Sequence, residues 1–96
     1  MEIAYTVHID ERVAKEDLSR IPKRERGRIG KDIQKKLMAR PEAYAKPLSG
    51  SLKNNWKLRV GDFRVIFHIH GKKVIITTIG HRSIVYALAL KRLLMN

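Results

Sequence analysis

In the segment WKLRVGDFRVIF, residues 56–67, apolar and cationic side chains alternate on both sides of Gly61 and Asp62. Alternation with a period of two is typical of a half-buried β-strand, and a two-residue turn containing glycine joins such strands into a hairpin. With this turn, Val60 faces Phe63, and every second residue of each strand shares one side of the sheet. The pattern predicts a hairpin whose apolar face is formed by Trp56, Leu58, Val60, Phe63, Val65 and Phe67.

The other face of this hairpin is cationic. It carries Lys57, Arg59 and Arg64, and the predicted register sets Arg59 directly opposite Arg64. Side chains opposite each other on one face have Cβ atoms only about 5 Å apart, so two arginines in these positions repel each other. Folding alone does not select such a pair. Two interpretations follow: a clamp for phosphate, or two solvated arginines whose charges are screened by salt.

A second hairpin is predicted at residues 71–72, a Gly-Lys pair that separates two further apolar runs. With a two-residue turn, Arg64 lies beside Ile79, and the next position on the same face is His81. The register therefore predicts that His81, and Arg82 after it, lie close to the arginine pair.

A C-terminal helix is predicted after this sheet. Ser83 is a suitable N-cap for a helix that runs to about Leu94, and Arg82 and Tyr86 lie one turn apart on the same side. Polar groups from three separate elements therefore converge on one face: Lys57, Arg59, Arg64, His81 or Arg82, and Tyr86.

The same helix is strongly apolar, since Lys91 and Arg92 provide most of its polar surface. A small domain has little room to bury a helix that is apolar on nearly every side. The helix is therefore expected either to be deeply docked or to offer a groove to a partner.

The N-terminal half is predicted to be a scaffold. Alternation over residues 3–9 favours a strand, and Asp10 can cap a short helix that runs to about Ser19. A longer helix is predicted over residues 23–40, and residues 41–50 are predicted to be a loop. The resulting order of elements is β-α-α-β-β-β-α.

This order predicts a single domain of the α+β class over residues 1–96. We expect a four-stranded, largely antiparallel sheet with two or three helices packed on one face. Such packing buries the face that contains Trp56, Phe63 and Phe67 and leaves the cationic face open.

Charge indicates the kind of partner. The 96 residues include 21 Lys and Arg against 9 Asp and Glu, a net charge of +12, and residues 51–96 hold nine of these bases but one acid, Asp62. Such a field favours nucleic acid, an anionic membrane or an acidic protein. Cysteine is absent, which excludes disulfides, cysteine-ligated zinc and thiol nucleophiles. With no signal-peptide pattern or membrane-spanning apolar run, a soluble cytoplasmic protein is expected.

Two motifs carry a resemblance to a known family. They are KLRVGDFRVIF at residues 57–67 and IGHRSIVY at residues 79–86. At this spacing they resemble the signature of the RelE/ParE toxin superfamily of toxin-antitoxin systems, and the order of elements matches over nearly the whole chain. RelE-type members are ribosome-dependent endoribonucleases that cut mRNA, whereas ParE-type members share the fold and inhibit DNA gyrase. The resemblance implies a type II toxin of the RelE-like mRNA interferase branch.

The resemblance also implies a site without metal or cofactor. Mapped by motif, the RelE-type catalytic set falls on Lys57, Arg64, Arg82 and Tyr86. Arg59 and His81 lie beside this set as expected substrate-binding residues. The chain departs from the pattern at Asn55, where RelE-type toxins have a second lysine.

These residue types suit metal-independent cleavage of RNA, because RNA supplies its own nucleophile, the 2′-OH. Arg64 and Arg82 suit a pentavalent phosphorane, since a planar guanidinium can pair with two oxygens at once. Lys57 is a candidate general base or electrostatic stabiliser, because neighbouring cations favour its neutral form. His81 is an alternative base, and Tyr86 can stack on a base or share the proton transfer.

Two alternatives to a nuclease stay open. One is a ParE-like gyrase inhibitor, and the other is a non-catalytic RNA-binding relic in which the same cations only hold phosphates. The expected partners are mRNA on the ribosome, with rRNA contacts for which the helix at 23–40 is a candidate, and a cognate antitoxin, expected to be acidic. No membrane partner is expected. His68 and His70 share one face of a strand, but no Asp, Glu or Cys lies beside them, so a metal pair is not predicted there.

Overall fold

A five-stranded sheet forms the centre of the fold. The computed structural model describes residues 4–95, and the strands within them are β1 (Thr6–Ile9), β2 (Lys46–Pro47), β3 (Trp56–Val60), β4 (Phe63–His70) and β5 (Lys73–His81). Their order across the sheet is β1-β5-β4-β3-β2, with β1 parallel to β5 and the other neighbours antiparallel. The predicted α+β class is confirmed, with one strand more than expected. Ile3, where the predicted opening strand begins, lies outside the described residues.

Helical segments flank the sheet. They are a π-helical turn at Val13–Asp17 followed by a 3-10 turn at Leu18–Arg20, α1 (Lys23–Asp32) continued by a π-helical turn at Ile33–Leu37, α2 (Pro41–Tyr44), a 3-10 turn at Gly50–Leu52, and α3 (Val85–Leu94). Asp10 caps the first segment as predicted, because its Oδ1 accepts the backbone N–H of Arg12 at 2.8 Å. The second helical segment ends at Leu37, earlier than the predicted Arg40.

The first hairpin has the predicted register. Trp56 of β3 pairs with Phe67 of β4, and Arg59 pairs with Arg64. Gly61 in the turn has a φ of +61°, a backbone conformation that glycine adopts without a steric penalty. Alternation and turn chemistry therefore specify this part of the fold locally.

The second hairpin departs from the prediction by one residue. A β-bulge at Thr77 gives β5 one more residue than the facing part of β4. Arg64 therefore pairs with Gly80, and the predicted pairing with Ile79 is wrong. Because successive residues of a strand point to opposite faces, the same shift moves His81 to the face opposite Arg64.

The main core lies between the apolar sheet face and the first two helical segments. Its buried side chains are Val13, Ile21, Ile29, Ile33, Leu37, Ala45, Leu58, Val60, Val65, Phe67, Val74, Ile76 and Ile79. Trp56 and Phe63 are partly buried against this cluster. The predicted core face of the hairpin, including Trp56, is therefore confirmed.

The last helix packs on the opposite face of the sheet, so two helical segments and not three cover the core face, and the prediction that the cationic face is left open is wrong where α3 docks. Val85 and Ala89 of α3 are buried against Ile66, which is only 1% exposed. Ile66 lies between Val65 and Phe67, which point into the main core. The run of three apolar residues breaks the alternation and gives the cationic face one apolar patch on which a helix can dock.

Residues 41–50 were predicted to be a loop, but they contain α2 and β2. Lys46 pairs with Lys57, and Pro47 pairs with Trp56, at the edge of the sheet. A two-residue strand is too short to show an alternating pattern, and proline is tolerated in a strand at an edge. This is the physical reason that sequence periodicity does not detect it.

The start of α3 also differs from the prediction. Ile84 occupies the N-cap position without a side-chain hydrogen bond, whereas the Ser83 hydroxyl lies 2.8 Å from Nδ1 of His81. The helix is docked along one side only, since its buried residues are Val85, Ala89 and Arg92, spaced about one turn apart, whereas Leu93, Leu94 and Met95 at its C-terminal end remain exposed. Within residues 4–95, no helix has both the length and the apolar character needed to cross a membrane.

Candidate functional site

Four cations on the sheet face that carries α3 form two like-charged pairs. Arg59 of β3 lies opposite Arg64 of β4, and Lys57 of β3 lies opposite Lys46 of β2. Like charges directly opposite each other destabilise a sheet. The arginine pair confirms the predicted register of the first hairpin. The lysine pair adds the positive charge of Lys46 to the same face. The fold therefore concentrates positive charge at a place where packing does not require it.

These cations surround a pocket of about 190 Å³. Its lining consists of one aromatic and four basic side chains: Tyr44, Lys46, Lys57, Arg59 and Arg64. Lys57 and Arg64 are half-buried, whereas Arg59 and Lys46 are exposed. A pocket with four positive charges and one aromatic wall suits a ligand that carries phosphate.

Tyr86 lies beside this pocket because α3 docks on the same face. Nζ of Lys57 is 5.7 Å from the centroid of the Tyr86 ring, within the range of a cation–π contact. Tyr86 itself packs against the cluster formed by Ile66, Val85 and Ala89. Two residues from separate elements, both predicted to belong to one site, are therefore brought together.

The guanidinium of Arg64 is oriented by the hairpin turn. Its Nη1 donates to the carbonyl oxygens of Gly61 and Phe63, both at 2.9 Å. Within residues 4–95, Nε and Nη2 of Arg64 have no hydrogen-bond partner, so they are free to donate to a ligand. The arginine is thus held in place on one side and available on the other.

Arg82 lies next to the same turn but is not among the residues that line the pocket. Its backbone N–H donates to the carbonyl oxygen of Asp62 at 2.8 Å, and its Nε is 3.8 Å from Asp62 Oδ1. Both side chains are largely exposed, so this ion pair holds the guanidinium only weakly. Arg82 and Arg64 therefore both contact the turn formed by Gly61 and Asp62. Because α3 begins at Val85, Arg82 does not lie on the helix one turn before Tyr86, and that part of the prediction is wrong.

His81 lies on the other side of the sheet. Its ring packs edge-on against Phe63, with 5.7 Å between ring centroids, and its Nδ1 contacts the hydroxyl of Ser83. The predicted position of His81 beside Arg64 is wrong, because the bulge in β5 inverts its face. The structure brings together Lys57, Arg59, Arg64 and Tyr86, and it leaves His81 outside this group.

The strand histidine His68 also lies apart from the site. It lines a cavity of about 110 Å³ under α3, together with Arg12, Asn55 and Arg92 among other residues. Burial, and to a smaller extent the neighbouring charge of His70, lowers the pKa of His68 from its ordinary value of 6.5. Asn55 donates from its side chain to the carbonyl of Leu52 at 3.2 Å.

Sequence reasoning missed two residues of the pocket, Tyr44 and Lys46. Both lie in the segment that was predicted to be a loop. The one local signal is Pro47, which is compatible with an edge strand but more often marks a turn. Their place in the site depends on the pairing of β2 with β3, which is a tertiary contact.

Comparison with known proteins identifies the family of the chain and relatives of its fold. A family model described as the ParE toxin of type II toxin-antitoxin system, parDE, matches residues 11–86. A chain in the RelBE2 toxin-antitoxin complex from Mycobacterium tuberculosis is 26% identical with a TM-score of 0.70, and the match covers 83% of this chain and 100% of that chain. A search of curated proteins found no match.

Two further solved structures share the fold. A chain in the archaeal RelE-RelB complex from Pyrococcus horikoshii OT3 is 26% identical with a TM-score of 0.63, covering 83% of this chain and 97% of that chain. A RelE mutant from E. coli in complex with the antitoxin peptide RelBc is 24% identical with a TM-score of 0.64, covering 91% of this chain and 95% of that chain. The predicted superfamily is confirmed, since the family match spans most of the chain and both of its motifs. The chain belongs to the ParE toxin family of type II toxin-antitoxin systems, within the RelE/ParE toxin superfamily.

Proposed function

We propose that this toxin is a ribosome-dependent mRNA endoribonuclease that uses metal-independent attack of the 2′-OH on the adjacent phosphate. The observation that carries the proposal is the cluster on one sheet face, where Lys57, Arg59 and Arg64 surround a pocket and Tyr86 lies 5.7 Å from Lys57. A nuclease without metal needs fixed positive charge around the phosphorane and a group that moves protons. These residues supply both.

Arg64 is proposed as the main phosphorane ligand. Because Nη1 is occupied by the turn carbonyls of Gly61 and Phe63, the Nε and Nη2 edge can pair with two phosphate oxygens. Arg82 assists from its position beside the Gly61–Asp62 turn, since its weak pairing with Asp62 can be exchanged for a phosphate. Arg59 binds the flanking backbone.

Lys57 is proposed as the general base or as an electrostatic stabiliser, with Tyr86 stacking on a splayed base or sharing the proton transfer. Lys46 lies directly across the strands from Lys57. It therefore brings a second lysine to the site, even though Asn55 occupies the position where RelE-type toxins have one. His81 has no part in this scheme, because it lies on the opposite face.

The test is a cell-free translation reaction in which mRNA 5′ ends are mapped by primer extension. Wild type is expected to produce cuts inside translated codons, and Arg64→Ala is expected to slow cleavage roughly 100-fold, as for the removal of one oxyanion donor. Tyr86→Phe keeps the ring and removes the hydroxyl, so it separates stacking from proton transfer. Arg20→Ala is the matched control, because Arg20 is exposed and lies outside the site.

The outcome for Arg64→Ala decides the assignment. Cleavage at the wild-type rate by a folded Arg64→Ala variant would sink the proposed site. Loss of cleavage in Arg20→Ala as well would attribute the effect to net charge and not to geometry. Circular dichroism of each variant shows whether it is folded.

One observation favours a second candidate, a ParE-type gyrase inhibitor: the family model that matches the chain is the ParE model. Such a protein acts by binding and has no need for Lys57, Arg64, Arg82 and Tyr86 together. A DNA supercoiling assay with purified gyrase separates the two functions. Inhibited gyrase with intact mRNA supports the ParE-type reading, and neither effect supports a non-catalytic RNA-binding relic.

An antitoxin is the proposed protein partner, acting with the toxin in the cytoplasm. The RelE proteins of Pyrococcus horikoshii and E. coli are each in complex with RelB or a RelB peptide. A net charge of +12 favours an acidic partner, and the exposed apolar residues Leu93, Leu94 and Met95 offer contact area on α3.

A further inference from the structure

An exposed aromatic ring borders the cationic pocket. Tyr44 is the last residue of α2, its side chain is 52% exposed, and it lines the pocket with Lys46, Lys57, Arg59 and Arg64. Exposed aromatic rings next to basic side chains are the combination with which proteins bind single-stranded nucleic acid. The ring stacks on a base, and the cations hold the backbone.

The position of Tyr44 is fixed by its surroundings. Pro41 at the start of α2 is buried, and its carbonyl accepts the backbone N–H of Ala45 at 2.9 Å, directly after Tyr44. Nζ of Lys36 lies 5.7 Å from the centroid of the Tyr44 ring, and the same Nζ is 3.4 Å from Asp32 Oδ2. A ring that is already placed loses little conformational freedom when a base stacks on it.

Register links this ring to the proposed chemistry. Lys46, two residues after Tyr44, pairs with Lys57 across β2 and β3, so the two lysines share one face. Lys57 is in turn next to Tyr86. Each lysine of this pair is therefore close to an aromatic ring: Tyr44 from α2 lines the pocket with Lys46, and Tyr86 from α3 lies beside Lys57.

We infer that Tyr44 is a base-stacking residue that holds a nucleotide flanking the scissile phosphate, with Lys46 on that nucleotide's backbone. This inference rests on the proposed function in taking single-stranded RNA as the ligand. It adds a second stacking position to the one proposed for Tyr86, at the β2 edge of the sheet. The chain then recognises RNA over more than one nucleotide.

The test measures binding of 2′-O-methyl oligonucleotides, which lack the nucleophile and cannot be cut, by fluorescence anisotropy at low salt. Tyr44→Ala is expected to weaken binding on the order of tenfold, which corresponds to the loss of one stacking contact. Tyr44→Phe keeps the ring and is expected to bind like wild type. An oligonucleotide series with one abasic position at a time then locates the base. Removing the base that stacks on Tyr44 should weaken binding by the wild type by a similar factor and should leave binding by Tyr44→Ala unchanged.

Tyr5→Ala is the matched control. Tyr5 also has a lysine over its ring, with Nζ of Lys72 at 4.8 Å, but it precedes β1 at the opposite edge of the sheet. This variant is expected to bind like wild type, and Tyr44→Phe remains as a folded comparison if Tyr5→Ala is unstable.

The inference is overturned if Tyr44→Ala binds the oligonucleotide as tightly as wild type does, or if wild type does not bind at low salt. It is also overturned if each abasic position weakens binding by Tyr44→Ala as much as binding by wild type. Its failure is distinguishable from failure of the proposed function. Cleavage lost in Arg64→Ala together with unchanged binding by Tyr44→Ala refutes the stacking role alone. Tyr44-dependent binding without any cleavage of mRNA refutes the nuclease alone.

Discussion

Arg92 and Asp17 form a buried, bidentate ion pair. Nη1 of Arg92 donates to Asp17 Oδ2 at 2.8 Å and Nη2 donates to Oδ1 at 2.7 Å, while Asp17 Oδ2 also accepts the backbone N–H of Ile79 at 2.8 Å. Asp17 is 2% exposed and Arg92 is 6% exposed. Arg92 donates in addition to the carbonyl of Thr77 at 2.9 Å. The pair therefore joins the first helical segment, β5 and α3, which lie on different sides of the sheet.

Removal of one partner of this pair is expected to destabilise the fold strongly. Arg92→Ala leaves the carboxylate of Asp17 buried without its counter-ion, which costs about 3 to 5 kcal/mol of the free energy of unfolding. Urea denaturation measures the change. Lys91→Ala, at an exposed neighbouring position, is the control and should change stability by less than about 0.5 kcal/mol. Equal denaturation midpoints for Arg92→Ala and wild type would contradict the role of the pair.

Thr78→Val is expected to stabilise the protein. Thr78 is fully buried, and among the described residues its hydroxyl has no hydrogen-bond partner. Valine has a similar shape and replaces the unsatisfied hydroxyl with a methyl group, which should add about 1 kcal/mol to the free energy of unfolding. Thr77→Val is the comparison, because the Thr77 hydroxyl contacts the carbonyl of Ile66 at 3.5 Å. Destabilisation by Thr78→Val would mean that the hydroxyl is satisfied in solution.

Two glycine substitutions are expected to have opposite signs. Gly61 has a φ of +61°, which strains a residue with a Cβ, so Gly61→Ala should cost about 1 kcal/mol or more, whereas the nearby guanidinium of Arg28 is the end of a flexible side chain and can move away. Gly27 lies inside α1, and a Cβ there would meet nothing within 4 Å, so Gly27→Ala should add about 0.5 to 1 kcal/mol. Thermal denaturation compares the two. A melting temperature that rises in both variants would refute the strain assigned to the turn.

His68 is expected to make stability depend on pH. Burial, followed by the charge of His70, lowers the pKa of His68 below 6.5, so the unfolded chain takes up this proton first as the pH falls. The contribution of His68 to the free energy of unfolding is therefore present above pH 6.5. It is lost as the pH falls through the pKa of His68 in the folded protein, which lies below 6.5. NMR titration of the imidazole measures the midpoint, and His70→Ala should raise it. A His68 midpoint above 6.5 is the contrary result.

The core and the first hairpin could be predicted from the sequence because their determinants are local. Alternation from Trp56 to Val65 assigns each side chain to a face, and Gly61 supplies the turn conformation, so the opposition of Arg59 and Arg64 follows from counting. The predicted neighbourhood of Lys57 and Tyr86 is likewise found in the structure.

Other parts of the site depend on contacts that no short pattern encodes. The bulge at Thr77 moves His81 to the other face, and a single unpaired residue leaves no signal in the alternation. The two-residue strand that carries Lys46 exists only because β3 pairs with it. Both features change which side chains reach the pocket.

Composition, period and turn residues specify the α+β class, the core face, the cationic face and the basic character of the site, because they act within a few residues of one another. Tertiary contacts determine which cations lie close together. α3 docks on the patch around Ile66, and Tyr44 and Lys46 line the pocket. Arg92 is buried against Asp17, although arginine on a helix is ordinarily solvated. The physical reason is that a side chain's face depends on register and docking, which are set by the sum of many distant contacts.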